Sequence, residues 1–186
     1  MGRILLVTGG ARSGKSSFAE RLVVGLGDDI VYIATARAAD EEMTDRIAQH
    51  RLQRPASWRT HEAPDFPSTV ITYEGQHCDG LLLDCLTMLT TNRILAQSID
   101  WGCPAVAQLN GIEAEVMTEI EAIVTAAAGS RADLVAVTNE VGCGIVPGST
   151  MARFFRDCAG HVNQRIAAAA AEVYLTVSGI PMRIKG

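Results

Sequence analysis

The chain has 186 residues, 48% hydrophobic and 20% charged, with a formal net charge of −5 at pH 7. This length accommodates one domain with a substantial core, and we predict a single domain over residues 1–186. The acidic balance argues against a nucleic-acid-binding protein, because such domains usually present a basic face.

Cysteine usage and the absence of long apolar runs indicate the compartment. Cysteines at positions 78, 85, 103, 143 and 158 contain no CxxC spacing, which argues against a zinc site, and their odd number is typical of reduced thiols. No run approaches the ~18 apolar residues of a membrane helix, and the apolar start lacks a signal-peptide cleavage site. We therefore expect a cytoplasmic protein without membrane insertion.

Short apolar runs alternate with helical patterns along the chain. The runs typical of buried strands are ILLVTG (4–9), IVYIATA (30–36), LLLDCL (81–86) and LVAVTNE (134–140), with weaker candidates at 68–74 and 173–180. Helical patterns cover 16–26, 41–53, about 105–128 and 150–171. This alternation predicts an α/β fold with a mostly parallel central sheet and helices on both faces.

A glycine-rich segment follows the first predicted strand and opens the first predicted helix. GGARSGKSS (9–17) fits the G-x-x-x-x-G-K-[ST] pattern through Gly9, Gly14, Lys15 and Ser16. In such a loop the backbone N–H groups and the helix N-terminus bind phosphates, the lysine reaches the β- and γ-phosphates, and the serine ligates Mg²⁺. The alternative is a glycine-rich turn without function.

Asp84 stands at the end of the run GLLLDCLT, which predicts a carboxylate at the carboxyl end of a strand neighbouring the phosphate loop. That is the Walker B arrangement, and it predicts a second Mg²⁺ ligand. Alternatively, Asp84 merely caps the next helix. The chain lacks the N-K-x-D motif with which regulatory GTPases read guanine.

The segment DEEMTDRIAQHRLQ (40–53) predicts a helix that places His50 near several arginines. One interpretation is a partly buried histidine that packs against its neighbours. The other is a neutral, nucleophilic histidine that attacks a phosphate, with arginines holding the phosphate oxygens. Residue chemistry alone leaves both open.

Six segments together resemble one family, that of adenosylcobinamide kinase/adenosylcobinamide-phosphate guanylyltransferase. They are GGARSGKS, YIATA, EEMTDRIAQHRLQRPASWRTHE, DCLTMLTTN, TNEVGCGIVP and FRDCAGHVNQRIAAAAAEVYLTVSGIP, in the family's order and over nearly the whole chain. The resemblance implies a RecA-like P-loop fold and a bifunctional enzyme. It would phosphorylate the aminopropanol hydroxyl of adenosylcobinamide with ATP or GTP, and then transfer GMP from GTP through a guanylyl-histidine to adenosylcobinamide phosphate.

The resemblance also implies residue roles and an assembly. The guanylylated histidine corresponds to His50, and members are expected to be homo-oligomers, as trimers. The nucleotide contacts correspond to Gly9, Gly10, Ala11, Arg12, Ser13, Gly14, Lys15, Ser16, Ala34, Thr35, Ala36, Arg51, Leu52, Gln53, Arg54, Glu62 and Asp84.

The two transfers require attack at different phosphorus atoms, γ in the kinase step and α in guanylylation. One phosphate loop cannot present both to the same acceptor unless the nucleotide or the His50 helix moves. We therefore expect the region from about 37 to 66 to take more than one position, with RPASWRTHEAPDFP (54–67) as a lid loop. The alternative is an ordinary surface connection.

Further polar residues follow the strand at 134–140 or lie on the last long helix. Glu140 is a candidate to position the substrate hydroxyl or accept its proton, or else to pair with an arginine. Arg153, Arg156 and Asp157 predict a structural ion-pair network. Asn163 and Gln164 are candidate polar contacts, whereas His61, His77 and His161 lack a catalytic context.

Three alternatives remain at this stage. A plain P-loop kinase would need no histidine, so its activity would survive replacement of His50. A nucleotide-gated interaction module would transfer no phosphoryl group to a corrinoid. A family member could also retain guanylyl transfer and lack the kinase step.

Overall fold

The computed structural model describes residues 1–37, 41, 45 and 55–186. Apart from residues 41 and 45, the predicted helix over 41–53 lies outside them. In chain order the elements are β1 (Ile4–Gly9), α1 (Lys15–Val24), β2 (Ile30–Ala34), β3 (Arg59–Glu62), α2 (Pro67–Glu74), β4 (Gly80–Asp84), α3 (Leu86–Leu95), α4 (Val106–Gly129), β5 (Asp133–Val137), α5 (Thr150–Ala169), β6 (Glu172–Val177) and β7 (Ile180–Lys185).

These strands form a seven-stranded sheet in the order β3-β2-β4-β5-β1-β6-β7. All neighbouring pairs are parallel except β6 and β7, which form an antiparallel hairpin at one edge. The central strands β1, β2, β4 and β5 are buried almost throughout, as expected of strands covered on both faces. The predicted α/β class with a mostly parallel sheet is confirmed.

Alternating side chains of the central strands divide between two apolar clusters. Leu5 and Val7 face the side on which α1 packs its Ala19 and Val23. Ile4 and Leu6 face the other side, where residues of α2, α3, α4 and α5 build the larger cluster. Helix α1 is therefore anchored to the sheet by the smaller core through its second and third turns. Within the described ranges, no helix is both long and apolar enough to span a bilayer.

Of the two weaker strand predictions, 173–180 is confirmed by β6 and 68–74 is wrong. Residues 68–74, expected as a strand, belong to α2, which begins with Pro67 at a position where proline favours a helix start. Ser68, Ile71 and Glu74 are buried at helical spacing, so packing against α4 overrides the β-branched composition. Helix α3 and strands β3 and β7 were not predicted. Part of the predicted lid loop, Arg59–Glu62, is instead the edge strand β3.

The parallel strands bring their carboxyl ends to one edge of the sheet. Ala34 at the end of β2 lies opposite both Glu62 of β3 and Asp84 of β4. The strand carrying Asp84 does not neighbour β1, contrary to the sequence prediction, because β5 is inserted between them. Ligands bind at this edge in open α/β sheets, so the candidate site is sought here.

Candidate functional site

The phosphate loop turns sharply between β1 and α1. Arg12 and Gly14 have positive φ angles of 55° and 89°. A Cβ on Gly9 would lie 2.5 Å from the carbonyl oxygen of Thr176 and 2.6 Å from Ser13 Oγ, so only glycine fits there. The carbonyl of Gly10 accepts hydrogen bonds from Ser13 N at 3.3 Å and Lys15 Nζ at 3.1 Å. These contacts hold the loop as a compact arch.

Helix α1 begins directly at the end of the phosphate loop. Its N-cap residue is Gly14, and no described side chain caps the helix. The first N–H groups of an α-helix lack intrahelical partners, and the helix dipole adds partial positive charge there. Lys15 is buried to 8% exposure at the same point. An uncapped helix start with a lysine beside it is a geometry suited to phosphate groups.

The turn of the β6–β7 hairpin packs against the phosphate loop and supports it. Gly179 N donates to Ser13 O at 2.8 Å, and a Cβ on Gly14 would come within 3.0 Å of Gly179 Cα. Ser178 and Gly179 have φ angles of 51° and 82°, which is typical of a two-residue hairpin turn. This contact was not predicted, although a Ser-Gly pair between two apolar runs is typical of a hairpin turn.

Asp84 lies at the carboxyl end of β4 near the lysine of the phosphate loop. Its Oδ2 accepts a hydrogen bond from Tyr32 OH at 2.9 Å, which orients the carboxylate. Both charges act on the neighbouring thiol of Cys85. Burial, and after it the negative Asp84, raise the pKa of Cys85 to about 12, whereas the positive Lys15 acts to lower it. Asp84 and Lys15 lie at the same carboxyl edge of the sheet, with β5 between β4 and β1.

This edge of the sheet provides donors of the kind that Mg²⁺ prefers. Ser16 supplies a hydroxyl in the first turn of α1, and Asp84 supplies a carboxylate. Mg²⁺ takes hard oxygen ligands, and in phosphoryl-transfer sites it is held by one or two protein groups plus phosphates and waters. The described residues contain no cluster of three or more His, Cys, Asp or Glu that would bind a metal by itself. The donor set fits a metal that arrives with a nucleotide.

Thr35 connects the end of β2 to β4 with every polar atom engaged. Its N donates to Asp84 O at 3.1 Å, and its Oγ1 both donates to Cys85 O and accepts from Cys85 N, each at 2.7 Å. Asn92 Nδ2 donates to Thr35 O at 2.8 Å. Thr35 is fully buried. Any nucleotide contact of the 34–36 segment is therefore expected from Ala34 or Ala36.

A polar network joins the ends of β1 and β5 to α5. Glu140 Oε1 accepts hydrogen bonds from Thr8 Oγ1 at 2.6 Å and from Asn163 Nδ2 at 3.3 Å. Asn163 Oδ1 accepts from Thr138 Oγ1 at 2.7 Å, which fixes the amide orientation. Glu140 N donates to Gly9 O at 3.1 Å, so this residue adjoins the phosphate loop. Among the described residues, no ion pair joins Glu140 to an arginine.

The other polar residues singled out in the sequence have structural partners. His61 Nε2 lies 3.1 Å from Glu74 Oε1, and His161 Nδ1 contacts Glu113. Arg156 pairs with Asp157, as predicted. Arg153 does not join that pair, because it donates to the carbonyls of residues 147 and 148.

The remaining predicted site residues fall into two groups. Ala11, Arg12 and Glu62 are exposed at the carboxyl edge, near the residues described above. His50, Arg51, Leu52, Gln53 and Arg54 lie outside the described residues. The described part of the site is thus a phosphate loop with both carboxylates on the same side of β1, Glu140 after the adjacent β5 and Asp84 at the end of β4.

Comparison with known proteins identifies a matching family. A model of the family described as cobinamide kinase/cobinamide phosphate guanyltransferase matches residues 5–184. The chain is 46% identical over 182 residues to a bifunctional adenosylcobalamin biosynthesis protein of Salmonella typhimurium, covering 98% of this chain and 99% of that protein. It is 41% identical to a similarly described protein of Pseudomonas aeruginosa, over 97% and 96% of the two chains.

Two solved structures share a more distant likeness. The P4 protein from bacteriophage phi6 in complex with ADP aligns with a TM-score of 0.48 at 14% identity, covering 97% of this chain and 52% of that one. The RadB recombinase aligns with a TM-score of 0.48 at 15% identity, covering 94% and 74%. The fold class stands on the strand order and the phosphate loop of this chain.

Proposed function

Because the chain belongs to the cobinamide kinase/cobinamide phosphate guanyltransferase family, and so is a bifunctional enzyme of cobalamin biosynthesis, we propose two successive reactions for it. It phosphorylates the aminopropanol hydroxyl of adenosylcobinamide with ATP or GTP. It then transfers GMP from GTP, through a guanylyl-histidine at His50, to adenosylcobinamide phosphate and forms adenosylcobinamide-GDP.

The observation that carries this proposal is the uncapped start of α1 with Lys15, Asp84 and Glu140 around it. In the proposal the backbone N–H groups from Gly9 to Ser16 bind the phosphates of the nucleotide. Lys15 neutralises charge on the β- and γ-phosphates. Ser16 and Asp84 hold Mg²⁺, which neutralises charge on the phosphate oxygens when bound.

In the kinase step the acceptor hydroxyl oxygen attacks the γ-phosphorus. The bond from this phosphorus to the bridging β–γ oxygen breaks, and a nucleoside diphosphate leaves. The hydroxyl proton passes to Glu140, whose Oε1 already accepts hydrogen bonds from Thr8 and Asn163. Those two bonds fix the carboxylate beside the phosphate loop, a position that suits a general base.

In the guanylyl step a ring nitrogen of His50 attacks the α-phosphorus of GTP, and pyrophosphate leaves. A phosphate oxygen of the phosphorylated corrinoid then attacks the same phosphorus, and the bond to His50 breaks. This role of His50 and the phosphate contacts of Arg51 and Arg54 rest on the sequence and the family resemblance. Covalent catalysis of this kind divides one transfer into two displacements at one phosphorus.

The covalent step is tested with GTP labelled at its α-phosphate. The protein is incubated with Mg²⁺ and labelled GTP without any corrinoid, and then run on a denaturing gel. We expect an acid-labile, alkali-stable label on the wild type and none on His50→Ala, as for a phosphoramidate. His77→Ala is the matched control, since His77 is exposed beside Tyr73, with their ring centroids 5.7 Å apart.

Each outcome of this experiment has a distinct meaning. A label retained by His50→Ala would move the nucleophile to another residue. An unlabelled wild type that binds GTP and still phosphorylates adenosylcobinamide would favour a plain kinase and leave His50 as a packing residue.

We further propose that the enzyme is a cytoplasmic homo-oligomer, a trimer as in the family it resembles. All five cysteines are free thiols, which suits a reducing compartment. The edge strand β7 exposes Ile180, Met182 and Ile184 at alternating positions, that is, on one face. An exposed apolar edge strand is typical of a surface covered by another chain. Light scattering of the purified protein measures the assembly.

A further inference from the structure

The loop from 141 to 149, which we call the β5–α5 loop, exposes apolar side chains next to the candidate site. Its sequence VGCGIVPGS contains no charged residue. Ile145 is 96% exposed and Val146 60% exposed. A Cβ added to Gly142 or Gly144 would meet nothing within 4 Å, so this loop has open space around it. Apolar groups presented this openly beside a site are typical of a ligand contact.

Both ends of this loop are fixed, so its apolar tip has a defined place. Immediately before the loop, Glu140 N donates to Gly9 O at 3.1 Å, which fixes the first end of the loop beside the phosphate loop. At the end, Arg153 Nη1 donates to Pro147 O at 3.0 Å and to Gly148 O at 2.7 Å. Ile145 follows Glu140 by five residues, which limits their separation to about 17 Å.

The charges of the loops at this edge indicate which kind of ligand packs on Ile145 and Val146, the tip of the β5–α5 loop. The phosphate loop carries Arg12 and Lys15, and the segment after β2 carries Arg37, so those loops suit the charged nucleotide. The β5–α5 loop offers mainly apolar side chains and backbone groups, and its polar side chains, Cys143 and Ser149, are uncharged. A corrin ring presents a broad methyl-bearing edge with neutral amide side chains. Its chemistry therefore complements this loop, whereas that of a triphosphate does not.

We propose that Ile145 and Val146 form a contact surface for the corrin ring of the acceptor, which directs the aminopropanol hydroxyl towards Glu140. This inference rests on the proposed function, because it names the subsite used by the acceptor in that reaction. The ring packs against the exposed apolar tip, while the charged nucleotide occupies the phosphate loop. The two residues then determine affinity for the corrinoid without contacting the nucleotide.

The first test compares the double variant Ile145→Ser/Val146→Ser with Val24→Ser. Val24 is 54% exposed at the far end of α1, so its replacement removes a similarly exposed valine away from the site. We expect the double variant to raise the KM for adenosylcobinamide about tenfold or more, as expected for the loss of apolar contacts. The KM for ATP and the GTP labelling of the protein should stay unchanged, and Val24→Ser should match the wild type.

The readouts separate this inference from the proposed function. Labelling with GTP requires no corrinoid, so a wild type that fails to label contradicts the covalent step and leaves the corrinoid KM comparison intact. An unchanged corrinoid KM in the double variant, with normal labelling, overturns the inference alone. A changed molecular mass together with an unchanged corrinoid KM would identify the tip as a contact between subunits instead.

The second test needs no substitution, because Cys143 lies within the loop and is exposed. Cys103 is also exposed and lies outside the loop, so it provides an internal control. Adenosylcobinamide at ten times its Kd should slow alkylation of Cys143 by N-ethylmaleimide about tenfold and leave Cys103 unaffected. Equal alkylation of Cys143 with and without the corrinoid would contradict the subsite.

Discussion

The phosphate loop follows β1, the β5–α5 loop follows the adjacent β5, and the hydrogen bond from Glu140 N to Gly9 O joins them. The phosphate loop is short and cationic, and it is supported by α1 and the β6–β7 turn. The β5–α5 loop is uncharged beyond Glu140 and is hydrogen-bonded at its two ends, and its apolar tip is exposed.

In our proposal, this difference allows one edge of the sheet to bind two chemically unlike substrates. Binding a triphosphate requires fixed N–H groups and positive charge, which only a rigid loop at a helix start provides. In our proposal the corrin ring of the acceptor, with its methyl and amide groups, packs on exposed apolar surface, and this costs less on a loop that does not support the core. In our proposal Glu140 stands at the boundary and serves the reaction between the two.

The largest predicted effect is that of Lys15→Ala, which removes the only lysine of the phosphate loop. Because both proposed reactions use the triphosphate, we expect kinase turnover and GTP labelling each to fall by about 10²–10³-fold, as on loss of one preorganised charge donor. Lys185→Ala is the matched control. Lys185 Nζ donates to the carbonyls of Ala167 and Ala168 at the end of α5, so its loss should leave both activities intact.

If Lys15→Ala weakened only the kinase step, the two reactions would not share one phosphate loop. The phosphate loop would then bind the nucleotide of the kinase reaction alone, and GTP would bind elsewhere for guanylylation.

Glu140→Gln should separate the two reactions. Loss of the general base is expected to lower kinase kcat by about 10²-fold, because glutamine cannot accept the hydroxyl proton. GTP labelling should be unchanged, since it involves no acceptor hydroxyl. Glu121→Gln is the control, because Glu121 pairs with Arg165 on the surface of α4. Kinase kcat equal to that of the wild type would reduce Glu140 to a structural link between the loops.

Asn163→Ala should have a smaller effect on the same step. Asn163 is a positioning residue, because it donates to Glu140 Oε1 and to Asn139 O. We expect kinase kcat to fall about tenfold with little change in either KM, in line with one hydrogen bond to a charged group. The adjacent exposed Gln164→Ala should behave as wild type.

A double variant distinguishes positioning from a general loss of stability. If Asn163 acts through Glu140, Asn163→Ala should add almost nothing to the loss already caused by Glu140→Gln. Additive losses would instead indicate that Asn163 stabilises the edge independently of Glu140.

The smallest expected effect concerns thiol reactivity in the free enzyme. Burial raises the pKa of both Cys85 and Cys158 to about 12, so at pH 8 their thiolate fraction is far lower than that of an ordinary thiol. Mass spectrometry after brief alkylation at pH 8 should find Cys103 and Cys143 modified, and Cys85 and Cys158 modified only after unfolding. Rapid alkylation of Cys85 in the native protein would show that the β4 end opens.

Much of the nucleotide-binding part of the site could be predicted from the sequence because its residues are consecutive in the chain. The phosphate loop occupies consecutive residues between a strand and a helix, so its glycines, Lys15 and Ser16 are recognisable without knowledge of the fold. The buried strands were equally evident, since a parallel sheet covered on both faces requires continuous apolar runs. The wrong predictions concerned elements whose type depends on packing. An example is α2, whose β-branched residues favoured a strand.

The hydrogen bonds made by Tyr32, Thr35 and Asn92 could not be predicted from the sequence, for a different reason. Tyr32 on β2 orients Asp84 on the adjacent β4, and Asn92 donates to Thr35, which is 57 positions away in the chain. Such contacts depend on register and on helix placement, which no local pattern encodes. The position of Asp84 was misjudged similarly, since only the strand order reveals that β5 separates β4 from β1.

Residue type and short-range spacing were enough to predict the α/β class, the phosphate loop, the family resemblance and the candidate histidine. The strand order was needed to place Asp84 and Lys15 at one edge with β5 between their strands, and the side-chain contacts were needed to show that Thr8 and Asn163 hold Glu140 and that the β6–β7 turn supports the phosphate loop. The physical reason is that parallel strands distant in the chain end at one edge, where hydrogen bonds between their ends assemble a site from non-contiguous residues.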